Sequence, residues 1–264
     1  MFRTEKNRMY TKTEIRSGGM LETIKKRKRD IKTRVRREKM NESSESQKKR
    51  NETRQLFKLE RELAANFKNG DLFCTLNCSD NCGLEEFKKR TAKMMRRLRA
   101  MHGGQIVYIS VPEVGPLSGK YHLHIVLPKD ITSEMLGEAW EWGSINIKII
   151  YSAPRFKRLA EYLLKKNTPE GMKAWTCGRA NKKSVEKTQK IRRKNFRKVP
   201  AEELRVAGKL YRREDWIEYE DPFTMEVVQH AWYFLAEGEK KDGKIHNPIH
   251  EPWKRNRKKG RMQP

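Results

Sequence analysis

The stretch 121–127 constrains the fold most, because it places two histidines one residue apart in a run of strand-forming residues. Successive side chains of a strand point to opposite faces, so His122 and His124 share one face. The apolar residues between and after them share the other face, which we expect to be buried. Two imidazoles on one face can bind one metal ion, although a histidine on a strand is more often only packed and hydrogen-bonded.

Alternating strands and helices predict the fold class. The predicted strands cover residues 72–78, 106–111, 121–127 and 144–150. The predicted helices cover residues 55–67, 84–101, 133–140 and 153–166. This order favours an α+β fold in which helices pack on one face of an antiparallel sheet. The other face, which carries both histidines, is expected to be open.

Changes in composition predict three regions. Residues 1–50 are rich in charge and poor in apolar side chains, so we expect a basic arm that is disordered or helical. Residues 52–200 hold the predicted sheet and form the main domain. Residues 201–264 form a C-terminal extension that can complete the sheet and that ends in a basic tail.

The net charge of +27 favours a polyanionic partner, because each phosphate that is neutralised releases a counterion. Nucleic acid is the partner that this charge predicts. The basic helix 84–101 and the basic segment 179–198 are expected to follow its backbone, through Arg96, Arg97 and Arg179.

Other features argue against a membrane or a secreted location. No apolar run approaches the roughly 20 residues of a membrane span, and the polar, basic N-terminal stretch does not resemble a leader. The four cysteines form no Cys-x-x-Cys pair, which favours a reducing compartment without disulfides.

Further polar side chains are expected near the two histidines. Glu113 ends the preceding strand, so its carboxylate can complete a site of two histidines and one carboxylate with open positions. In the last predicted helix, Arg158, Tyr162 and Lys166 recur every four residues and form one row. A phenol among cations becomes a nucleophile when its proton is removed. The simpler interpretations are a solvated glutamate and a tyrosine at the margin of the core.

These motifs, in this order, resemble the HUH endonucleases that start rolling-circle replication. His122-Leu123-His124 is similar to the HUH motif, in which two histidines flank a hydrophobic residue. Phe-Cys-Thr-Leu-Asn at 73–77 resembles the first strand motif, and Tyr-Leu-Leu-Lys at 162–165 resembles the YxxK nucleophile motif. With Asn-Phe-x-x-Gly-Asp at 66–71, the chain is most similar to initiators of the filamentous-phage gene II type.

The resemblance implies an RRM/ferredoxin-like HUH palm and a metal-dependent nicking and joining enzyme. It implies that Glu113, His122 and His124 hold a divalent cation, Mg²⁺ or Mn²⁺, which polarises the scissile phosphate. Tyr162 would attack the phosphorus and leave a 5′-phosphotyrosine link and a free 3′-OH. The single tyrosine of the motif is similar to that of single-tyrosine enzymes.

The resemblance also implies partners and a location. Lys165 or Lys166 would neutralise the phosphate or the phenolate, and Arg158 and Lys166 would contact the DNA. The substrate would be single-stranded DNA or an extruded origin hairpin, with a helicase and a polymerase supplied by the host. Phages, plasmids and integrated elements carry such initiators, so the bacterial cytoplasm is the expected location. Aromatic residues that can stack on bases are Phe73, Trp140, Trp142 and Trp175.

Other functions remain open from the sequence. A single-tyrosine transposase or a plasmid relaxase would use the same chemistry. A non-catalytic RRM-like nucleic-acid-binding protein would explain the charge and the sheet, but not the histidines together with Glu113 and Tyr162. An iron oxygenase with two histidines and one carboxylate would make the charge and Tyr162 coincidental.

Overall fold

The fold comes from a computed structural model that describes residues 9–28, 45–116, 118–151, 155–165, 167–220 and 226–236. The helices in these residues are α1 Glu45–Asn66, α2 Leu84–His102, α3 Ser133–Ala139, α4 Lys157–Leu164 and α5 Arg193–Phe196. None of these helices has the length and apolar character that crossing a bilayer requires.

A five-stranded sheet has the order β6-β3-β5-β4-β7, and all its neighbouring strands are antiparallel. Its strands are β3 Leu72–Asn77, β4 Ile109–Val114, β5 Tyr121–Leu127, β6 Ile145–Ile149 and β7 Thr176–Cys177. The predicted α+β fold with an antiparallel sheet is therefore confirmed. The central strand β5 has the predicted bounds.

A six-stranded antiparallel sheet has the order β8-β1-β2-β11-β10-β9. Its strands are β1 Met9–Ser17, β2 Met20–Lys28, β8 Val185–Ile191, β9 Glu203–Val206, β10 Lys209–Glu220 and β11 Val227–Leu235. The segment predicted as a C-terminal extension thus pairs with the N-terminal hairpin through β11 and β2. It builds a second sheet and does not extend the five-stranded one.

Helices α2 and α3 cover one face of the five-stranded sheet, where their apolar side chains pack on Leu123 and Ile125 of β5. In α2 the apolar residues recur at helical spacing, and the four predicted to point inward are all buried. These residues are Phe87, Met94, Met95 and Leu98.

The opposite face, predicted to be open, is covered in part. Ile109 and Val126 of this face belong to a core that also contains Leu63 of α1, Ala160 of α4 and Trp232 of β11. Helices α1 and α4 therefore lie between the two sheets. They cover the apolar end of this sheet face. The polar end, which carries the two histidines, lies at the edge of the two helices.

The expected disordered or helical arm over residues 1–50 is wrong for residues 9–28, which form the hairpin of β1 and β2. Gly18 and Gly19 make the turn, and Gly18 has a φ of +59°. A side chain there would also clash with α1, because a Cβ would lie 2.2 Å from the carbonyl oxygen of Ala64. The other parts of the arm, 1–8 and 29–44, and the basic tail within 237–264 lie outside the described residues.

A buried ion network joins the six-stranded sheet to α1. Glu22 of β2 accepts hydrogen bonds from Nε and Nη2 of Arg61 at 2.7 and 2.8 Å, and its Oε2 lies 2.8 Å from Nε2 of His230. Burial raises the pKa of Glu22, but the bonds from Arg61 and His230 outweigh burial and lower it. Burial lowers the pKa of His230, so its neutral form is favoured.

This network predicts that acid destabilises the protein in two steps. Both groups have a lower pKa when folded, so the unfolded chain binds more protons below their ordinary values of 6.5 for His230 and 4.5 for Glu22. The stability from both groups is present above pH 6.5 and is lost as the pH falls through each folded pKa. Urea unfolding from pH 8 to pH 3 measures this slope.

The variant Glu22→Gln tests the acidic step. It removes the counter-charge of Arg61, so we expect a loss of about 3 kcal/mol at neutral pH and a flatter slope below pH 4.5. The exposed Glu138 of α3 supplies the control Glu138→Gln, which is expected to change neither quantity. An unchanged unfolding curve for Glu22→Gln would contradict this role.

Candidate active site

Three neighbouring strands bring polar side chains to one face of the five-stranded sheet. On β5, His122 lies opposite Asn77 of β3 and opposite Glu113 of β4. The next row on the same face contains Thr75 of β3 and His124. Directly opposed residues of antiparallel strands project to the same side, so these five side chains lie together on one surface, which we call the histidine patch.

Both imidazoles are held through Nδ1 by residues of β3. Nδ1 of His122 lies 2.7 Å from Oδ1 of Asn77, and Nδ1 of His124 lies 3.1 Å from Oγ1 of Thr75. Histidines that bind metals are held in this way through the nitrogen that does not bind the ion, which fixes the tautomer and the ring orientation. The arrangement leaves Nε2 of each ring for a further interaction.

Nε2 of His124 already contacts a carboxylate. It lies 2.5 Å from Oε2 of Glu113, and the His124 side chain is 3% exposed. On the other ring, Nε2 of His122 points towards the β4–β5 turn, because a Cβ on Gly115 would lie 2.9 Å from it. A glycine at position 115 therefore leaves room for this nitrogen.

The donors of this patch fit a divalent cation in type, as two imidazole nitrogens and one carboxylate do in sites with open positions. The ligating atoms of Glu113, His122 and His124 do not all lie within 4.8 Å of one another. Among the described residues, the one group of three His, Cys, Asp or Glu side chains with all ligating atoms within 4.8 Å of one another is Cys78, Asp80 and Cys82. Binding of one ion by Glu113, His122 and His124 would bring the His122 ring closer to the other two side chains.

Tyr162 lies against the histidine patch. Its ring meets the His124 ring edge-on, with centroids 6.1 Å apart, and the Phe73 ring edge-on at 5.8 Å. The Phe73 ring is parallel to the His124 ring at 5.8 Å. Ala160 and Leu163 bury the other side of α4, so Tyr162 stands at the margin of the core and stays 45% exposed.

Two anchors hold α4 at this place. Just before the helix, Nε of Arg155 donates to Oε1 of Glu60 in α1 at 3.0 Å. Just after it, the carbonyl oxygen of Asn167 accepts a hydrogen bond from the backbone N–H of Val114 at 2.9 Å. Val114 directly follows Glu113, so this bond ties the end of α4 to the strand that carries Glu113. The exposed Lys165 caps the C-terminus of α4, two residues before Asn167. Lys166 lies outside the described residues.

Of the predicted DNA-contacting arginines, Arg158 lies one turn before Tyr162 and is exposed. Arg96 and Arg97 belong to α2, which packs on the opposite face of the sheet, and Arg97 is paired with Glu141 at 3.0 Å. Arg179 follows β7, which pairs with β4 at Ile109. This end of β4 is about 13 Å from Glu113, at roughly 3.3 Å per residue. The structure therefore does not bring these three arginines to the histidine patch.

The aromatic residues named for base stacking make contacts within the protein, and stacking stays a prediction for Phe73, Trp142 and Trp175, which are partly exposed. Trp140 is 2% exposed and donates its indole N–H to the carbonyl oxygen of Asn77 at 3.3 Å, so it is a core residue and cannot stack on bases. Trp142 is covered by three cations whose charged groups lie within 6 Å of its ring. Phe73 supports His124 and Tyr162.

Asn77 is a positioning residue that the motif comparison did not identify. Besides holding His122, its Nδ2 donates to Oγ of Ser144 at 2.9 Å, and its backbone N–H donates to the Ser144 carbonyl oxygen at 2.9 Å. The bond to Ser144 thus fixes the Asn77 side chain independently of its contact with the His122 imidazole. The signal available in the sequence was its place two residues from Thr75, on the face that carries the histidines.

The variant Asn77→Ala is expected to weaken Mn²⁺ binding by about 10- to 100-fold, because outer partners of metal ligands typically contribute that much. Isothermal titration with Mn²⁺ measures the change. The matched control is Asn195→Ala, at an exposed position of α5 beside the six-stranded sheet, which should bind Mn²⁺ as the unchanged chain does. Equal Mn²⁺ affinities for both variants would rule out this role for Asn77.

Comparison with known proteins identifies the segment that carries this patch. Residues 71–169 match the family model of replication-associated proteins described by the names ORF2 and gene II protein. This segment is similar to the replication-associated proteins of the gene II protein type. The match contains β3 to β6 and α2 to α4, and with them Glu113, both histidines and Tyr162. The resemblance to gene II type initiators is confirmed for this segment. Neither the curated proteins nor the solved structures gave a match.

Proposed function

We propose that this replication-associated protein nicks single-stranded DNA at a replication origin through Tyr162. The observation that carries the proposal is the contact of the half-exposed Tyr162 ring with His124, whose Nε2 meets Glu113. A nucleophile and a group of possible metal ligands thus share one face, within the segment that matches the replication-associated family. If this patch served only to stabilise the fold, it would not need a hydroxyl group on the ring at position 162.

The reaction is a transesterification. The phenolic oxygen of Tyr162 attacks the phosphorus of the scissile phosphodiester, a new O–P bond forms, and the bond from phosphorus to the 3′ oxygen breaks. The phenol gives up its proton to water, and the leaving 3′ oxygen takes one up. The products are a 5′-phosphotyrosine link and a free 3′-OH, which can prime DNA synthesis.

The side chains around Tyr162 have separate roles in this reaction. Glu113, His122 and His124 would hold a divalent cation, Mg²⁺ or Mn²⁺, which polarises the phosphate oxygens as a Lewis acid when it is bound. Asn77 keeps one imidazole in the tautomer that such binding needs. Lys165, exposed at the end of α4, would neutralise charge on the phosphate.

The substrate follows from the shape and charge of this surface. The polar end of the sheet face lies beside α4. The backbone of a stacked duplex would not fit into the space between this face and the helix. Single-stranded DNA or an extruded origin hairpin would enter there, attracted by the net charge of +27. The N–H of Gly115 donates to the carbonyl oxygen of Lys120 and closes the β4–β5 turn. Host enzymes would supply the helicase and the polymerase.

A covalent adduct tests the proposal. The full chain is incubated with pooled single-stranded fragments of its own replicon and Mn²⁺, and we expect DNA that migrates more slowly until a protease is added. Chelation of the metal should abolish the adduct, and the duplex forms of the same fragments should give none. DNA that binds but never becomes linked would contradict the nicking activity and favour a binding protein.

A further inference from the structure

The loop between β3 and α2 brings two thiols and a carboxylate together. Sγ of Cys78 and Sγ of Cys82 lie 3.8 Å apart, and these two sulfurs and a carboxylate oxygen of Asp80 all lie within 4.8 Å of one another. This cluster is on the side of the sheet that packs against α2, and it shares no residue with the histidine patch.

The spacing of the two sulfurs matches a tetrahedral metal site. Two thiolates on one Zn²⁺ ion, each at about 2.3 Å from the metal, lie about 3.8 Å apart. Two packed thiols reach the same separation at van der Waals contact, so the feature that points to an ion is the Asp80 carboxylate beside both sulfurs. Thiolates bind Zn²⁺ in preference to the harder Mg²⁺.

The surroundings complete the charge balance of such a site. Arg90 of α2 donates from Nη1 and Nη2 to both carboxylate oxygens of Asp80 at 2.6 and 2.9 Å. Ligating carboxylates are commonly held in this way by an outer partner. Two thiolates and one carboxylate carry three negative charges, of which a Zn²⁺ ion would neutralise two. The remaining charge faces the guanidinium of Arg90, which also donates from Nε to Oε1 of Glu86 at 3.2 Å.

We infer that Cys78, Asp80 and Cys82 bind one Zn²⁺ ion, with the fourth position open to water on the exposed side of Asp80. Binding displaces the two thiol protons into solvent as the two Zn–S bonds form. Cys78 directly follows Asn77, and its backbone N–H donates to the Tyr121 carbonyl oxygen at 3.1 Å. The ion would therefore stiffen the loop beside the residue that orients His122.

Cobalt binding tests this site apart from the histidine patch. The reduced, chelator-treated full chain is titrated with Co²⁺ alone, and the thiolate-to-cobalt charge-transfer band is recorded. We expect one equivalent to saturate the band and Zn²⁺ to abolish it. Glu113, His122 and His124 offer only nitrogen and oxygen, so they cannot give this band. A chain that shows no such band would overturn the inference.

Three variants assign the band to residues. Cys82→Ser should remove it, whereas Cys177→Ser, at a cysteine of similar partial burial outside the cluster, should leave it unchanged. Asp80→Asn keeps both thiols and should weaken Co²⁺ binding at least about 10-fold. This variant keeps the test decisive if Cys82→Ser fails to fold. A band that persists in folded Cys82→Ser, or an unchanged affinity in Asp80→Asn, would contradict the assignment.

Discussion

The variant Tyr162→Phe is expected to lower the rate of single-stranded DNA cleavage by at least about 10³-fold, because it removes the attacking oxygen and nothing else. The ring contacts with His124 and Phe73 survive this change, and the side chain is 45% exposed, so folding should be unaffected. Binding of the same DNA should stay within about twofold, since the variant keeps every cation that is proposed to contact the DNA backbone. Single-turnover cleavage and fluorescence anisotropy measure the two quantities.

The control for this variant is Tyr151→Phe, at a tyrosine that is 77% exposed just after β6. It removes a hydroxyl from the surface without touching the site, so cleavage should continue at the original rate. Cleavage that survives in Tyr162→Phe would assign the nucleophile to another residue. A matching loss of DNA affinity would instead make Tyr162 a binding residue.

Removal of the central imidazole has the second largest expected effect. His124→Ala is expected to slow cleavage at least about 100-fold, because a bound cation contributes several kcal/mol to the stabilisation of charge in the transition state. It also leaves Glu113 without the partner that lies 2.5 Å away. The cleavage rate, measured against Mn²⁺ concentration, should rise and saturate for the unchanged chain and stay low and flat for the variant.

The matched control is His102→Ala. His102 ends α2 and is paired with Asp130 at 3.0 Å, on a part of the molecule that does not contact the histidine patch. Its Mn²⁺ dependence should equal that of the unchanged chain. If His124→Ala kept the original Mn²⁺ dependence, the metal would have to bind elsewhere, and the role assigned to Glu113, His122 and His124 would be lost.

The elements that the sequence predicted best are those whose apolar pattern is set by a single buried face. Strand β5 alternates between a core face and the histidine face, and α2 carries four buried residues at helical spacing. Local periodicity is enough in such cases, because each element packs against one surface only. The first helix began earlier than predicted, at Glu45, since its first turns are polar and carry no apolar period.

The hairpin of β1 and β2 was missed because most of its side chains are polar. Lys12, Glu14 and Lys26 break the apolar alternation that usually marks a strand. The Gly18-Gly19 pair was the available signal, since two glycines between strands favour a two-residue turn. The pairing of β2 with β11 joins residues about two hundred positions apart, and no local pattern contains such a partner.

In the candidate site, too, local patterns predicted some features, whereas others depend on packing between distant segments. Strand alternation and helical spacing gave the faces on which His122, His124 and Tyr162 lie, and the structure brings the Tyr162 and His124 rings into contact. The predicted arginines of α2 lie on the face of the sheet opposite the histidine patch, and their contact with DNA stays a prediction. Only the packing of α2 decides which face of the sheet they accompany.

The most direct test of the central claim is the identity of the residue that becomes linked to DNA. The covalent adduct is digested with protease and nuclease, and the peptide that carries the residual nucleotide is sequenced by mass spectrometry. We expect a single modified peptide, with the phosphate on Tyr162. A nucleotide on any other side chain, or an adduct that forms equally in Tyr162→Phe, would contradict it.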